Sequence, residues 1–343
     1  MVINKSDCRY DLKIINTAHI TNAFPTSLAP VKGVFIKEQI DSLYEEGVGV
    51  KVHVISKEND GILAYLKAWW FMLLNARRYD LVHCHHVLVG LLGVFSVPRS
   101  KLVVSFMNDG RHNLKGRLAP LGWPVFWFLT CYCKWKVYKS RLPRRFAGHG
   151  AVLLPNGVNE TLFTIQDRQA AKRQLGLDPS KRYVLFVSAN TVRAEKRFDL
   201  FSEAVAYVQR HDAMVEPLIM TQAARDEVPF YFNAASAHLL ASDFEGSPNS
   251  VREALACGTP VVARNVGGVR HILDGAENCR VVEEATGAAL GEALRQVLDS
   301  VAQGEELRAR LRQHLIDKGF TQRQVAQQLV ALYQKALSRH GSH

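Results

Sequence analysis

Residues 242–268 read SDFEGSPNSVREALACGTPVVARNVGG, and the apolar run Ala237–Ala241 leads into them. That run has the length of a buried strand, DFEGSPNS has the composition of a loop, and Pro248–Cys257 has the pattern of a helix. Proline suits a first helical turn, where its missing N–H costs nothing. Gly258 then breaks the helix, and Pro260–Ala263 supplies a second buried strand. Strand, helix and strand in such short order make a crossover unit of a parallel sheet. The alternation continues outward in both directions. Upstream lie helix Gln166–Leu175, strand Tyr183–Ser188, helix Phe198–Arg210 and strand Pro217–Thr221. Downstream, helices near Ala285–Leu298, Glu305–Asp317 and Thr321–Leu337 close the chain. The last opens with a capping box, Thr321 and Gln324, and aligns Val325, Leu329, Leu332 and Leu337 on one stripe.

An earlier series precedes PNGVN (155–159). It comprises strand Leu12–Thr17, helix Val34–Glu46, strand Val50–Ser56, helix Ile62–Arg77, and strands Asp80–His85 and Lys101–Phe106. The aromatic, basic stretch Arg117–Lys139 reads as mostly helical. The expected fold is therefore α/β, with two doubly wound, Rossmann-like domains facing a cleft. The expected division is 1–155, 156–320, and a C-terminal helix over 321–343 that returns towards the first domain. Ligands of such sheets bind beyond the carboxyl ends of the strands.

The 343 residues carry a net charge of +11, and its distribution is uneven. Residues 1–155 hold 21 Lys+Arg against 10 Asp+Glu, and the remaining 22 and 22 cancel. No acidic residue occurs between Gly110 and Asn159. Bases there alternate with Trp123, Phe126, Trp127, Phe128, Tyr132, Trp135 and Tyr138. A compact aromatic cluster flanked by Lys134, Lys136 and Lys139 fits an anionic membrane surface better than nucleic acid, whose stacking platforms are dispersed along a groove. An ordinary core helix with a solvated basic face is the competing reading. Six cysteines without a C-x-x-C pair exclude a disulfide framework and a zinc ribbon. The polar N-terminus lacks a secretory h-region, so cytoplasmic placement with peripheral contact to the inner membrane face is expected. His83 and His85 share one face of their strand and are expected to line the cleft; a strand pair alone does not make a metal site.

The loop at 242–250 carries the chemistry. The N–H groups of Asn249, Ser250 and Val251 open a helix and, with its dipole, suit a diphosphate. Gly246 lets the backbone approach closely. Glu245 precedes the helix and Glu253 lies one turn inside it, so two carboxylates flank one phosphate site.

Glu245 and Glu253 form an E-x7-E pair, and EGSPN…EALACGTPVV resembles the signature of retaining glycosyltransferases of the GT-B fold, family 4. Four further segments agree in order: FPTSLAPVKGVFIKEQ (24–39), YDLVHCHH (79–86), LLPNGVNETLF (153–163) and VRAEKRFDLF (192–201). EVPFYFNAAS (227–236) is similar to the subgroup of bacterial teichuronic acid and exopolysaccharide enzymes. The resemblance implies that Lys196, helped by Arg193, neutralises a donor diphosphate. It implies that Glu245 holds the donor sugar, that Glu253 holds the ribose, and that Gly33 allows close approach. Gly246, Ser247, Pro248, Asn249 and Ser250 would complete the donor loop. Two positions depart from the family pattern. Met107 stands where relatives carry a histidine, which leaves a catalytic polar role to Asp109 or Asn108. Asn190 falls near a usual arginine. The segment before EVPFYF is short, so a reduced C-terminal sheet is expected.

The implied activity is transfer of a sugar, with retention, from a UDP- or GDP-sugar to a hydroxyl acceptor, lipid-linked in one version. It belongs to cell-surface polysaccharide or glycolipid synthesis and is metal-independent, in line with the absence of D-x-D. No cofactor is implied, because the nucleotide sugar is a substrate. Two other readings stay open: a sugar-nucleotide epimerase of the same fold, and a catalytically weak relative that serves as a membrane-associated assembly partner.

Overall fold

A computed structural model describes residues 14–26, 32–56, 61–107, 120–143, 150–188, 191–300 and 304–338. The first series runs β1 (Asn16–Thr21), α1 (Val34–Glu45), β2 (Gly49–Val54), α2 (Leu63–Asn75), β3 (Leu81–His85), α3 (Val87–Val94), β4 (Leu102–Phe106), α4 (Gly122–Tyr132), β5 (Trp135–Tyr138) and β6 (Ala151–Leu153). The second runs α5 (Arg168–Gln174), β7 (Arg182–Val187), α6 (Phe198–Gln209), β8 (Val215–Met220), α7 (Val228–Ala234), β9 (Ala235–Leu240), α8 (Asn249–Ala256), β10 (Val261–Arg264), α9 (Val269–Leu273), β11 (Arg280–Val282), α10 (Gly287–Asp299), α11 (Glu305–Asp317) and α12 (Gln322–Ser338).

Both sheets are parallel throughout and wound alike. The first has order β2-β1-β3-β4-β5-β6, and the second, with five strands, reads β8-β7-β9-β10-β11. In each, the winding reverses beside the first strand, between β1 and β3 and between β7 and β9. Crevices for ligands form at such points. The doubly wound α/β expectation holds.

Helices cover both faces of each sheet. On the first sheet, α1 and α12 share one face, where Ile36, Ile40 and Leu43 meet Val325, Leu329 and Leu332. Their spacing of three and four puts each set on one helical stripe. The opposite face buries Ala64, Ala68 and Met72 of α2, Val87 and Val89 of α3, and Phe126 and Leu129 of α4. The closing helix therefore packs on the first domain. Its capping box is formed reciprocally: the Thr321 backbone N–H donates to Gln324 Oε1 at 3.2 Å, and the Gln324 backbone N–H donates to Thr321 Oγ1 at 3.2 Å.

Three sequence expectations need correction. The stretch Arg117–Lys139, expected to be mostly helical, is helical only in its first part: among its described residues α4 ends at Tyr132 and β5 begins at Trp135. In β5 all four residues are buried, and so is Lys139 beyond it. Lys136 and Lys139 therefore cannot form a basic surface. The Lys136 ammonium donates to Thr130 O at 3.0 Å, and that of Lys139 to Gln39 Oε1 at 3.0 Å. The first strand lies at 16–21 rather than 12–17; it is buried on both faces, Ala18 and Ile20 on one and Thr17, His19 and Thr21 on the other, and the polar set interrupts the apolar signal. His83 and His85 are wholly buried between the sheet and α12 and do not line the cleft.

Candidate active site

The loops that leave β7, β8 and β9 wall a cleft of about 510 Å³, which the Gly33 turn at the start of α1 closes from the other domain. In the loop after β9, Glu245 Oε1 accepts from Lys196 Nζ at 2.6 Å and from Ser242 Oγ at 2.9 Å. Lys196 ends a short 3-10 turn that follows β7. On α8, Glu253 Oε1 accepts from Arg225 Nη1 at 2.7 Å. Arg225 follows β8, and its other edge forks onto Glu38 of α1, with Nε–Oε1 at 2.9 Å and Nη2–Oε2 at 3.1 Å. Each carboxylate of the E-x7-E pair is thus matched by its own cation. The second cation joins the two domains. Burial pushes the Glu38 carboxyl up from its ordinary range against the pull of Arg225. Burial also works against the Arg225 charge, but Glu253 and Glu38 outweigh it and keep the guanidinium firmly protonated.

The donor loop between the two carboxylates is held from behind. Pro248 caps α8 rather than entering its first turn, so Asn249, Ser250 and Val251 present the N–H groups of the helix start. Arg252 is fully buried and folds back to the loop, donating to Ser247 Oγ at 2.7 Å and Asn249 Oδ1 at 2.8 Å. Asn156 of the interdomain linker donates to the same Asn249 oxygen at 3.2 Å. Gly267 has φ +54, and a Cβ there would lie 2.3 Å from Glu245 O and 2.4 Å from Gly246 O. Only glycine fits that contact. Gly33 is likewise left-handed (φ +69), and a Cβ on it would lie 2.3 Å from the Ala23 carbonyl, so it serves the packing of its own domain too. His238 Nδ1 lies 3.0 Å from Leu185 O, which can only accept, so the ring carries its proton there and Nε2 accepts from Ser250 Oγ at 3.0 Å. Burial lowers the His238 pKa to about 4, which keeps the ring neutral.

Gly33, Arg193, Lys196, Glu245, Glu253 and the loop Gly246–Ser250 all line this one cleft. Arg193 Nε pairs with Glu195 Oε1 at 2.8 Å. Met107 lines the cleft, whereas Asn190 and Asp109 lie outside the described residues. Sequence reasoning missed Arg225, whose only signal is a single base in a loop, and read Asn156 as a turn residue alone. A larger hollow of about 920 Å³ lies by Asp80, Lys101 and Gln334. It sits at the amino ends of the first sheet's strands, away from the winding reversals where α/β ligands bind.

His19, His83 and His85 bring three ring nitrogens within 4.8 Å of one another. Their contacts already form one directed chain. His19 Nδ1 and His85 Nε2 are 2.9 Å apart, Tyr333 Oη lies 3.2 Å from His19 Nε2 and 2.6 Å from His83 Nδ1, and His83 Nε2 is 2.7 Å from Ser105 Oγ. Donation from His85 through His19, Tyr333 and His83 to Ser105 satisfies every link. It leaves His85 Nδ1 as a bare acceptor rather than a buried orphan N–H. Burial lowers the pKa of all three rings, in line with neutral tautomers. The cluster ties α12 to the first sheet and is no part of the cleft.

Two like-wound parallel domains across a cleft, with acidic and basic pairs about a helix start, make up the architecture called the GT-B fold. Residues 216–316 match the family model described as "Glycosyl transferases group 1". Among curated proteins, a D-inositol 3-phosphate glycosyltransferase of Catenulispora acidiphila is 28% identical, over 78% of this chain and 74% of its own. A glycosyltransferase assigned to teichuronic acid biosynthesis in Bacillus subtilis (strain 168) is 27% identical, over 44% of this chain and 42% of its own. Across the curated relatives matched, the chain spans from 32% to 74% of their lengths. Among solved structures, sucrose-phosphate synthase from Thermosynechococcus elongatus superposes with a TM-score of 0.75 at 18% identity, covering 95% of this chain and 100% of that one. The Anabaena protein HepE, solved with UDP-glucose, superposes at 0.66 with 14% identity, covering 96% and 100%.

Proposed function

We propose that this cleft moves a sugar, with retention of configuration, from a nucleoside diphosphate sugar to a hydroxyl acceptor during polysaccharide or glycolipid synthesis. One observation carries the reading: two carboxylates and two cations converge on the N-terminus of α8. In this assignment the diphosphate sits at the Asn249–Val251 N–H groups and takes Lys196 from Glu245. Glu245 is then free to hold hydroxyls of the sugar, and Glu253 those of the ribose. No side chain in the described cleft stands out as a covalent nucleophile, which favours attack of the acceptor on the face the diphosphate leaves. The leaving oxygen takes the acceptor's proton. The protein contributes position and charge neutralisation through Lys196 and the helix start. The resemblance in fold to HepE, which was solved with UDP and UDP-glucose, supports a UDP donor, with GDP as the alternative base.

Titration calorimetry with UDP and GDP tests the site without knowledge of the acceptor. One of the two binds, and Lys196→Ala weakens it roughly tenfold or more, the contribution of a hydrogen bond to a charged group. A panel of UDP- and GDP-sugars, read by release of free nucleoside diphosphate, then identifies the donor. If neither nucleoside diphosphate binds the wild-type chain, the donor assignment fails.

A further inference from the structure

Helix α2, LAYLKAWWFMLLN, is apolar apart from Lys67 and its final Asn75, yet only one side of it is buried. Ala64, Ala68 and Met72 face the sheet, while Leu63, Leu66, Trp70, Leu73 and Leu74 stand on the opposite stripe, with Ile62 just before them. Ile62 is 79% exposed, Leu66 57%, Trp70 55% and Leu74 59%. A solvent-facing helix carries polar residues on that stripe, so this pattern requires a cover. The patch extends sideways. Helix α3 packs against α2 and α4 on the same sheet face, and Phe95 at its end is 67% exposed. Trp123 and Phe128 of α4 add to the same outer surface.

The charge around the patch says what covers it. Between residues 61 and 107 the sequence holds one carboxylate, Asp80, and residues 120–143 hold none; Glu58 and Asp60, before α2, lie outside the described residues. Asp80 is taken by the Asn16 backbone N–H at 2.9 Å. Bases rim the patch: Lys67 lies on α2, Arg77 and Arg78 are exposed in the turn that ends it, and Arg99 is exposed beyond Phe95. Among the described residues around the patch the exposed charges are all basic, which suits an anionic surface better than a protein face of mixed charge. A layer of anionic headgroups over hydrocarbon matches both parts, the apolar stripe entering the acyl boundary and the bases staying among the headgroups. Helix α2, about 20 Å long by its 13 residues, would lie in the interface plane. No helix of the described residues is long and apolar enough to cross a membrane.

We propose that the outer face of α2, α3 and α4 is a docking surface for an anionic lipid bilayer, with α2 as its main anchor. This reading does not depend on the donor assignment. The full chain is sedimented with phosphatidylcholine vesicles, with and without phosphatidylglycerol, at low and high salt. Binding is expected only when phosphatidylglycerol is present and is weakened by salt. Leu66→Gln with Leu73→Gln, and separately Arg77→Glu with Arg78→Glu, should each lower partitioning at least about tenfold. Both pairs are surface changes, and unchanged thermal melting shows that the fold persists. Equal sedimentation with both vesicle types, or full binding by the leucine variant, overturns the proposal. So does a wild-type dimer in light scattering that the leucine variant abolishes while neither binds vesicles, because the face would then belong to a second copy.

Discussion

At the residue scale, the two carboxylates of the cleft should be separable by what they hold. Glu253 is assigned to the ribose, whose contacts change little as the glycosidic bond breaks. Glu245 is assigned to the sugar, which gains positive charge and changes shape. Glu253→Gln should mainly raise donor KM and weaken nucleoside diphosphate binding, by about ten- to a hundredfold. Glu245→Gln should mainly lower kcat and leave nucleoside diphosphate affinity nearly unchanged, because that product lacks the sugar. Calorimetry on both variants decides it, and a larger loss of nucleotide affinity in Glu245→Gln reverses the two roles. Arg225 extends the same logic. Its removal leaves Glu253 and Glu38 facing each other without the cation they share, in a cleft meant for an anion. Arg225→Ala should weaken nucleoside diphosphate binding about tenfold. Arg225→Lys should recover only part, because an ammonium cannot fork onto Glu38 while it reaches Glu253. Wild-type affinity in Arg225→Ala would make the residue a bystander.

At the element scale, Lys139 gives a prediction with a definite sign. Its side chain is buried beyond β5, and burial first, then the charge of Arg252, pulls its pKa down to about 7. Unfolded, it titrates near 10.5. Between those values the unfolded chain binds more protons than the folded one, so this group makes stability rise with pH over that window. Below about 7 the folded chain carries a buried charge, and the cost is present in full. Lys139→Met should therefore be more stable than wild type near pH 7, with an advantage that shrinks as pH rises towards 10. Melting curves across that range check it, and a constant difference would mean the ammonium is solvated. The same residue shows why parts of the fold were illegible. In sequence, Lys136 and Lys139 look like a basic flank, since nothing local reveals that β5 is an interior strand between β4 and β6. Likewise β1 hides one buried face behind Thr17, His19 and Thr21, whose partners are Gly49 of β2, His85 of β3 with Tyr333 of α12, and the Ala23 carbonyl. By contrast, the helix at Glu305–Asp317, the capping box at Thr321 and the loop Gly246–Ser250 were legible because local chemistry dictates them. Arg225 was not, because its meaning lies in Glu38, far away in sequence.

At the scale of the whole molecule, Glu38 of the first domain reaches the second through the fork of its carboxylate with Arg225. The chain crosses between domains at the linker, where Val158 pairs with Thr321, Val158 N–H donates to Phe320 O at 3.0 Å and Gln322 N–H donates to Val158 O at 2.8 Å. Helix α12 then returns to the first sheet, and the Gln322 side chain donates to the Glu38 carbonyl. Linker and returning helix thus pair side by side where the chain crosses between the halves, the place at which a hinge is expected. Beside it, the Glu38–Arg225 fork is a charged clasp between the halves, with the Glu38 side chain only 12% exposed. Breaking a clasp at that burial costs more than breaking a surface pair, because it leaves a charge without its partner. Glu38→Gln should therefore shift the free protein towards an open form. Small-angle scattering should give a larger radius of gyration for the variant than for wild type without ligand, and the two should converge when nucleoside diphosphate saturates the cleft. Mild acid should act in the same direction on wild type, since burial already makes Glu38 easier to protonate than an ordinary carboxyl. Identical scattering from the variant and wild type, free and bound, would mean that hinge and packing alone fix the domains and that the clasp serves only to hold Arg225 beside Glu253.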